Sequence, residues 1–330
     1  MKKRCIFLVL LCLMLACGTA LAEQPTGSVM LYSSMQENQL MAIRDAFMAK
    51  YPGIQMDYYY AGTGNVITKI ATERQAGQVA ADVIWVGDPS DYISFKKQGI
   101  LAQYASPEAE AIDAAFIDPE GYYTGARIVV VGISYNTNLV TEEEAPKNWD
   151  DLKDPKWFNQ IILTDPGASG TSKYAFGGMI ANPAYGIDYF AALKANGAEL
   201  ESGTTATHNK IAAGAYKVGI CLDYVTNNLA SEGATIAFTY PEKDIVFISS
   251  PIGLVANSAN QDNGKLLYDF ILSAECQRVL VENNLTSVRK DATQAGLSVT
   301  QIAALSMKVD DLYLSEKAND ILNAFDEVFK

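Results

Sequence analysis

Three short stretches set hydroxyl side chains beside glycine or beside each other: Ser33-Ser34, Gly62-Thr63-Gly64 and Ser169-Gly170-Thr171. Where such a stretch opens a helix, it exposes unpaired backbone N–H groups together with an O–H donor. The helix dipole also favours negative charge at that end. The chemistry on offer is anion binding. Taken singly, each stretch reads as an ordinary N-cap, worth about 1 kcal/mol. Three of them following strands on one side of a sheet point instead to a shared cleft. Arg127 is the cation expected to meet the anion. Asp88, His208, Asp223 and Tyr224 are expected to read the rest of the ligand.

Other chemistries fit less well. Gly62-Thr63-Gly64 lacks the third glycine of a dinucleotide fingerprint, because residue 67 is Ile. Residues 167–172 do not carry a phosphate-loop lysine. A nucleophile elbow needs G-x-S-x-G, and here the second glycine follows Ser169 directly. A secreted hydrolase would have to use Ser169 with the sole histidine, His208. Phenolate and carboxylate oxygens suit a hard cation such as ferric iron. Glu37, Tyr224 and His208 are the candidate ligands for that alternative. One His and two widely separated Cys cannot make a zinc site, and neither a resident metal nor a cofactor is expected.

The elements that must position these loops alternate. Residues 28–33, 54–60 and 81–87 read as strands, each followed by a helical pattern; Leu40, Ile43, Phe47 and Tyr51 fall at helical spacing before Pro52-Gly53. That alternation implies an α/β fold with a mostly parallel sheet, whose ligands bind beyond the carboxyl ends of the strands. A second alternating unit runs from residue 160 to 240, with a helix expected to open at His208. Two long β-rich runs, 127–136 and 243–256, flank it as two crossings between lobes would. The expected division is 23–127 with 248–290 for one lobe, and 128–247 with 291–330 for the other.

The chain opens with Lys2, Lys3 and Arg4, an apolar run to Ala16 and an Ala20-Leu21-Ala22 cleavage site. Residues 1–22 therefore read as a secretory leader. Cys17 lies in a looser lipid-anchor pattern, which fits less well. Loss of three basic residues with the leader takes the net charge from −13 to about −16. Such a charge opposes extended contact with nucleic acid. Cys221 and Cys276, the two cysteines beyond the leader, sit in apolar runs and read as free and buried.

Over nearly its whole mature length the chain resembles the type II periplasmic solute-binding proteins of ABC importers. The stretches that carry the likeness are residues 31–101, with the Ala-Asp-Val strand at 81–83, and "GARIVVVGISYNT", "TDPGASGTS" and "VGICLDYVTNN". It is similar to the branch that includes ferric-iron, phosphonate and sugar-phosphate binders. The resemblance implies a two-lobed type II fold with two hinge strands and a ligand clamped between the lobes. It also implies a monomer in the periplasm that delivers solute to a membrane permease without catalysis. Ferric binders usually carry an adjacent Tyr-Tyr pair where this chain has Asp223-Tyr224. The expected ligand is therefore a small anion of phosphonate or sugar-phosphate type. The resemblance would have Asp223 take an amine or hydroxyl while the loops hold the oxyanion.

Overall fold

The computed structural model describes residues 24–293 and 297–330. The expected leader, with Cys17, lies outside them. The first half alternates β1 (Gly27–Ser33), α1 (Glu37–Lys50), β2 (Ile54–Tyr60), α2 (Thr63–Gln75), β3 (Val83–Trp85) and α3 (Pro89–Lys97). Leu40, Ile43 and Phe47 are the buried stripe of α1, and Pro52 follows its C-cap at Tyr51. Helix α3 is capped by Asp88, whose carboxylate accepts from Ser90 N–H, with Pro89 at the first helical position.

Two strands then carry the chain across, β4 (Tyr123–Gly125) and β5 (Val129–Asn136). Every residue of β5 is buried, as expected of a strand covered on both faces. The Pro- and Trp-rich stretch after it forms two 3-10 turns that bury Trp149 and Trp157. The second unit comprises β6 (Ile161–Thr164), α4 (Gly170–Ala181), α5 (Gly186–Ala195), β7 (Glu199–Glu201), α6 (Thr204–Ala212), β8 (Val218–Leu222), α7 (Asp223–Ser231) and β9 (Ile236–Thr239). The chain returns through β10 (Val246–Ile248) and β11 (Pro251–Leu254). It ends in α8 (Gln261–Leu272), α9 (Ala274–Glu282), α10 (Val299–Leu305) and α11 (Asp311–Phe329).

There are two sheets. The first runs β2-β1-β3-β11-β4, and the second runs β10-β5-β8-β6-β7 with β9 also on β5. β1 lies parallel to both β2 and β3, Leu31 opposite Tyr58 and Val83. The expectation of mostly parallel sheets is corrected at the crossings. β11 enters from the other lobe and pairs antiparallel with β3, Ile252 opposite Trp85. β5 pairs antiparallel with β8, β9 and β10. A strand arriving from outside a βαβ unit has no crossover helix to reverse its direction. We place the lobe boundary at these two crossings, residues 126–128 and 249–250. Helix α11 does not belong to one lobe alone, since it packs against α4 and α5 and also against α3.

Cys221 and Cys276 are free and buried. No helix among the described residues is long and apolar enough to cross a membrane. Phe325 of α11 anchors one side of the core. It stacks on Phe176 at 5.5 Å and on Phe329 at 4.6 Å, and meets Phe190 edge-on. Truncating such a ring leaves a cavity that its neighbours fill poorly. Phe325→Ala is expected to cost about 3–5 kcal/mol, read as a lower urea midpoint with unchanged slope.

Candidate functional site

Four helices open onto one cavity of about 320 Å³ between the two sheets. From the first lobe come Ser34, just beyond β1, and Gly62, Thr63 and Asn65 at the start of α2. From the second come Ser169, Gly170 and Thr171 at the start of α4, the 202–206 turn at the start of α6, and Tyr224 in the first turn of α7. Helices α2, α6 and α7 have Gly62, Gly203 and Leu222 as N-caps, with no side-chain cap. At α2 and α6 the first-turn N–H groups are thus left for another acceptor, whereas at α7 the Asp223 carboxylate accepts from the Asp223 and Tyr224 N–H groups. Ser169 is both cap and lining: its hydroxyl accepts from Ser172 N–H at 3.3 Å and meets Thr171 Oγ1 at 2.9 Å.

Arg127 is the cavity's cation. It is 2% exposed and sits at the first crossing, with the guanidinium 5.7 Å from the Trp85 ring centroid and 5.5 Å from that of Tyr224. Its Nε donates to Ser250 Oγ at 3.2 Å, while its buried Nη1 has no hydrogen-bond partner among the described residues. No carboxylate pairs with it among the described residues. Neither Asp, Glu, Lys nor His lines the cavity. A desolvated guanidinium nitrogen without an acceptor is costly unless a ligand supplies one.

Of the residues expected at the site, Ser34, Thr63, Arg127, Ser169, Gly170, Thr171 and Tyr224 line the cavity. The others do different work. Ser33 is fully buried, and its hydroxyl joins Trp85 O to Met35 N–H. Gly64 meets the opposite lobe instead of the ligand space: a Cβ there would collide with Gly167 O. Asp88 is spent on capping α3 and on an ion pair with Lys173 at 2.9 Å. Asp223 accepts from Val130 N–H at 3.0 Å, and burial pushes its carboxyl up to about 7. It does not line the cavity.

His208 is a core histidine. Its Nδ1 donates to Thr204 O at 2.7 Å and its Nε2 accepts from Leu222 N–H at 3.1 Å; burial pulls its pKa down to about 4. Both ring nitrogens are occupied by backbone partners, and the ring does not line the cavity. It pins the start of α6 to the end of β8. Glu37 is exposed, lies outside the cavity and accepts from Tyr58 Oη at 3.4 Å. The expected iron set of Glu37, Tyr224 and His208 is thus dispersed. Among the described residues no group of three His, Cys, Asp or Glu could hold a metal ion.

The Ser202-Gly203-Thr204-Thr205 turn escaped the sequence reading. Strand β7 before it is three residues long with glutamates at both ends, so no apolar run marked it, and α6 opens four residues before His208. The signal was present all the same. Ser-Gly-Thr-Thr repeats the hydroxyl–glycine chemistry of Ser169-Gly170-Thr171. Gln36, Tyr60 and Asn65 are further lining residues that the sequence reading did not single out.

The lobes touch beside the cavity. A Cβ on Gly62 would lie 2.7 Å from Ala168 O, and one on Gly170 would lie 2.7 Å from Thr63 Oγ1. Gln36 Nε2 reaches Thr205 Oγ1 at 3.3 Å. Lys173 of α4 inserts between Asp88 and Asp91 of the other lobe. Two buried carboxylates share that one ammonium. Burial, with Asp88 adding to it, pushes the Asp91 carboxyl up to about 7.

The profile of the bacterial extracellular solute-binding proteins matches residues 80–304. The chain belongs to that family. This solute-binding protein is 30% identical, over 76% of its own length and 74% of the relative's, to a putative 2-aminoethylphosphonate-binding periplasmic protein of Salmonella typhimurium. Its fold is similar to that of the periplasmic binding protein AfuA from Actinobacillus pleuropneumoniae, solved with fructose-6-phosphate. There the TM-score is 0.83 and the identity 24%, covering 92% of this chain and 99% of that one. It is also similar to iron-bound HitA from Pseudomonas aeruginosa, with a TM-score of 0.78 and 21% identity over 92% and 99% of the two chains. The chain is an extracytoplasmic solute-binding protein of the ABC-transporter type.

The Asp91 environment gives a signed pH dependence. An unfolded Asp ionises near 3.9 and the folded one at about 7. Between those values the folded state holds more protons, so this group's stabilising effect is present at low pH and lost as pH rises through 7. His208 runs the opposite way, its contribution lost as pH falls from 6.5 toward 4. Asp91→Asn mimics the protonated carboxyl. Its thermal midpoint relative to wild type should climb steadily from pH 4 to pH 7 and level off above, the gain by pH 8 being about 2 °C or more, as followed by calorimetry.

Proposed function

We propose that this solute-binding protein captures a small oxyanion of phosphonate or sugar-phosphate type. The observation that carries the reading is the buried Arg127 Nη1, unpartnered among the described residues, in a cavity ringed by four helix N-termini. The guanidinium would meet one edge of the oxyanion while first-turn N–H groups and the hydroxyls of Ser34 and Thr171 donate to the others, Thr63 Oγ1 donating to Ser34 Oγ at 2.9 Å and so orienting it. The other polar side chains of the lining are uncharged, with hydroxyls and amides from Gln36, Asn65, Ser202, Thr204 and Thr205, beside apolar Ala168, Ala206 and Leu222. That suits a hydroxylated tail better than an ammonium, which would want a carboxylate. The Salmonella relative's aminoethylphosphonate and the AfuA sugar phosphate share the oxyanion and differ in the tail.

Capture would need no turnover. Ser169 is held by its own helix start, and His208 is committed to backbone partners. The protein would act as a monomer handing solute to its permease, with no contact to nucleic acid. Closure follows from the geometry, since only with the lobes together can α2 and α4 touch the same ligand. Ferric iron with a companion anion is the competing occupant. One observation favours it: Tyr60 and Tyr224 both reach the cavity. Burial raises the Tyr224 phenol, opposing the phenolate that iron needs, and Arg127 offsets this in part.

A thermal-shift screen of sugar phosphates, phosphonates and ferric salts tests the choice. An oxyanion ligand at 100-fold excess over its Kd should add about 2.7 kcal/mol of stability, and Arg127→Met should weaken it roughly 100-fold. A visible tyrosinate-to-iron absorption with ferric salt, and no response to any organic anion, would overturn the reading. Gly64→Ala separates capture from folding. Alanine is the better helix former by about 1 kcal/mol, so stability should hold or rise. Its methyl meets Gly167 O, so calorimetric affinity should drop by about tenfold or more.

A further inference from the structure

Ser250 is the residue on which the two crossings meet. It is fully buried in the second crossing and holds a φ of +28°, a region that disfavours any residue but glycine. Its carbonyl accepts from Trp85 Nε1 at 3.0 Å. Its hydroxyl donates to Val86 O at 3.2 Å and accepts from Arg127 Nε at 3.2 Å. Beside it, Ala126 N–H is shared between the carbonyls of Ser249 and Ser250 at 3.1 and 3.2 Å. One serine thus ties the end of β3, the first crossing and the second crossing together.

Arginine reaches its ligand through a long, rotatable stem, and its planar fork helps only when the plane is set. Here the guanidinium lies over the rings of both Trp85 and Tyr224, and the Nε–H bond to Ser250 fixes its rotation against them. With Nε anchored, the remaining donors are those of the two Nη groups, and Nη1 is buried without a partner among the described residues. We propose that Ser250 is the positioning residue of the binding site: its hydroxyl aims Arg127 at the ligand's anionic group and ties that contact to the crossing strands. The ligand's charge is thereby read at the hinge itself. The part that concerns ligand rests on the oxyanion reading above; the aiming of Arg127 does not.

The test uses the mature protein with Ser250→Ala and Ser250→Gly. Glycine relaxes the backbone and removes the hydroxyl, so it separates the two roles and replaces alanine should alanine not fold. The first readout needs no ligand. The Arg127 Nε–H signal in ¹⁵N NMR, assigned by its loss in Arg127→Lys, should exchange slowly in wild type and rapidly in both variants. The second is calorimetric titration with inorganic phosphate and fructose 6-phosphate. Both variants should bind roughly tenfold more weakly, and adding either change to Arg127→Met should cost nothing further. Should Ser250→Gly keep a protected Nε–H and wild-type affinity, or should its loss add fully to that of Arg127→Met, the proposal is overturned. If wild type binds neither probe yet the variants lose the protected Nε–H, the positioning role stands and the oxyanion reading falls.

Discussion

A guanidinium removed from water and given no carboxylate is an unusual thing to fold around, because desolvating a charge is expensive unless partners replace the lost hydration. Arg127 is held by two aromatic faces and one serine hydroxyl, and a nitrogen is left over. Much of the architecture follows from keeping that group in place. It needs a crossing strand to bring it between the sheets and Trp85 at the end of β3 for one wall. It needs Tyr224 at the start of α7 for the other, and a second crossing that passes close enough to offer Ser250. The helix N-termini around it add positive potential without adding another cation, so a bound anion would complete the charge balance rather than disturb it.

The contact between lobes is of a different kind. Around Gly62, Gly64 and Gly170 it is main chain against main chain or against one threonine, with no room for a side chain. Its ionic component, Lys173 between Asp88 and Asp91, starts two residues beyond Thr171 and so moves with the ligand loop. Binding and closure therefore share structural parts. A ligand that bridges α2 and α4 favours the same arrangement that seats Lys173. Helix α11 packs on both α3 and α4, so the surface behind the cleft is continuous across the boundary.

Much of this was legible in the residues. Helical spacing at Leu40, Ile43 and Phe47 and the apolar runs at 81–87 and 127–136 report burial directly, and the hydroxyl–glycine loops follow from where those strands end. What did not follow was side-chain direction. Asp88, Asp223 and His208 are the right types in the right loops, yet each turns inward to satisfy backbone at a helix start or strand end. Sequence distinguishes a cap from a ligand-binding group only through the three-dimensional neighbours that compete for it. Strand β7 was missed for a related reason, being an edge of three residues with too little apolar pattern to stand out. Ser250 drew no notice because its importance comes from three partners 164, 165 and 123 positions away.

The glycine-paved seam also limits how such a receptor can change its diet over evolutionary time. Mutations at positions 62, 64 and 170 meet atoms of the opposite lobe before they meet solute, so drift there is punished whatever the solute is. Freedom to retune selectivity lies with the uncharged side chains of the wall, Gln36, Tyr60, Asn65, Ser202 and Thr205, which can lengthen, shorten or swap donor for acceptor without jamming the jaws. A lineage built on this plan would keep its appetite for anions and diversify in what it lets the anion carry.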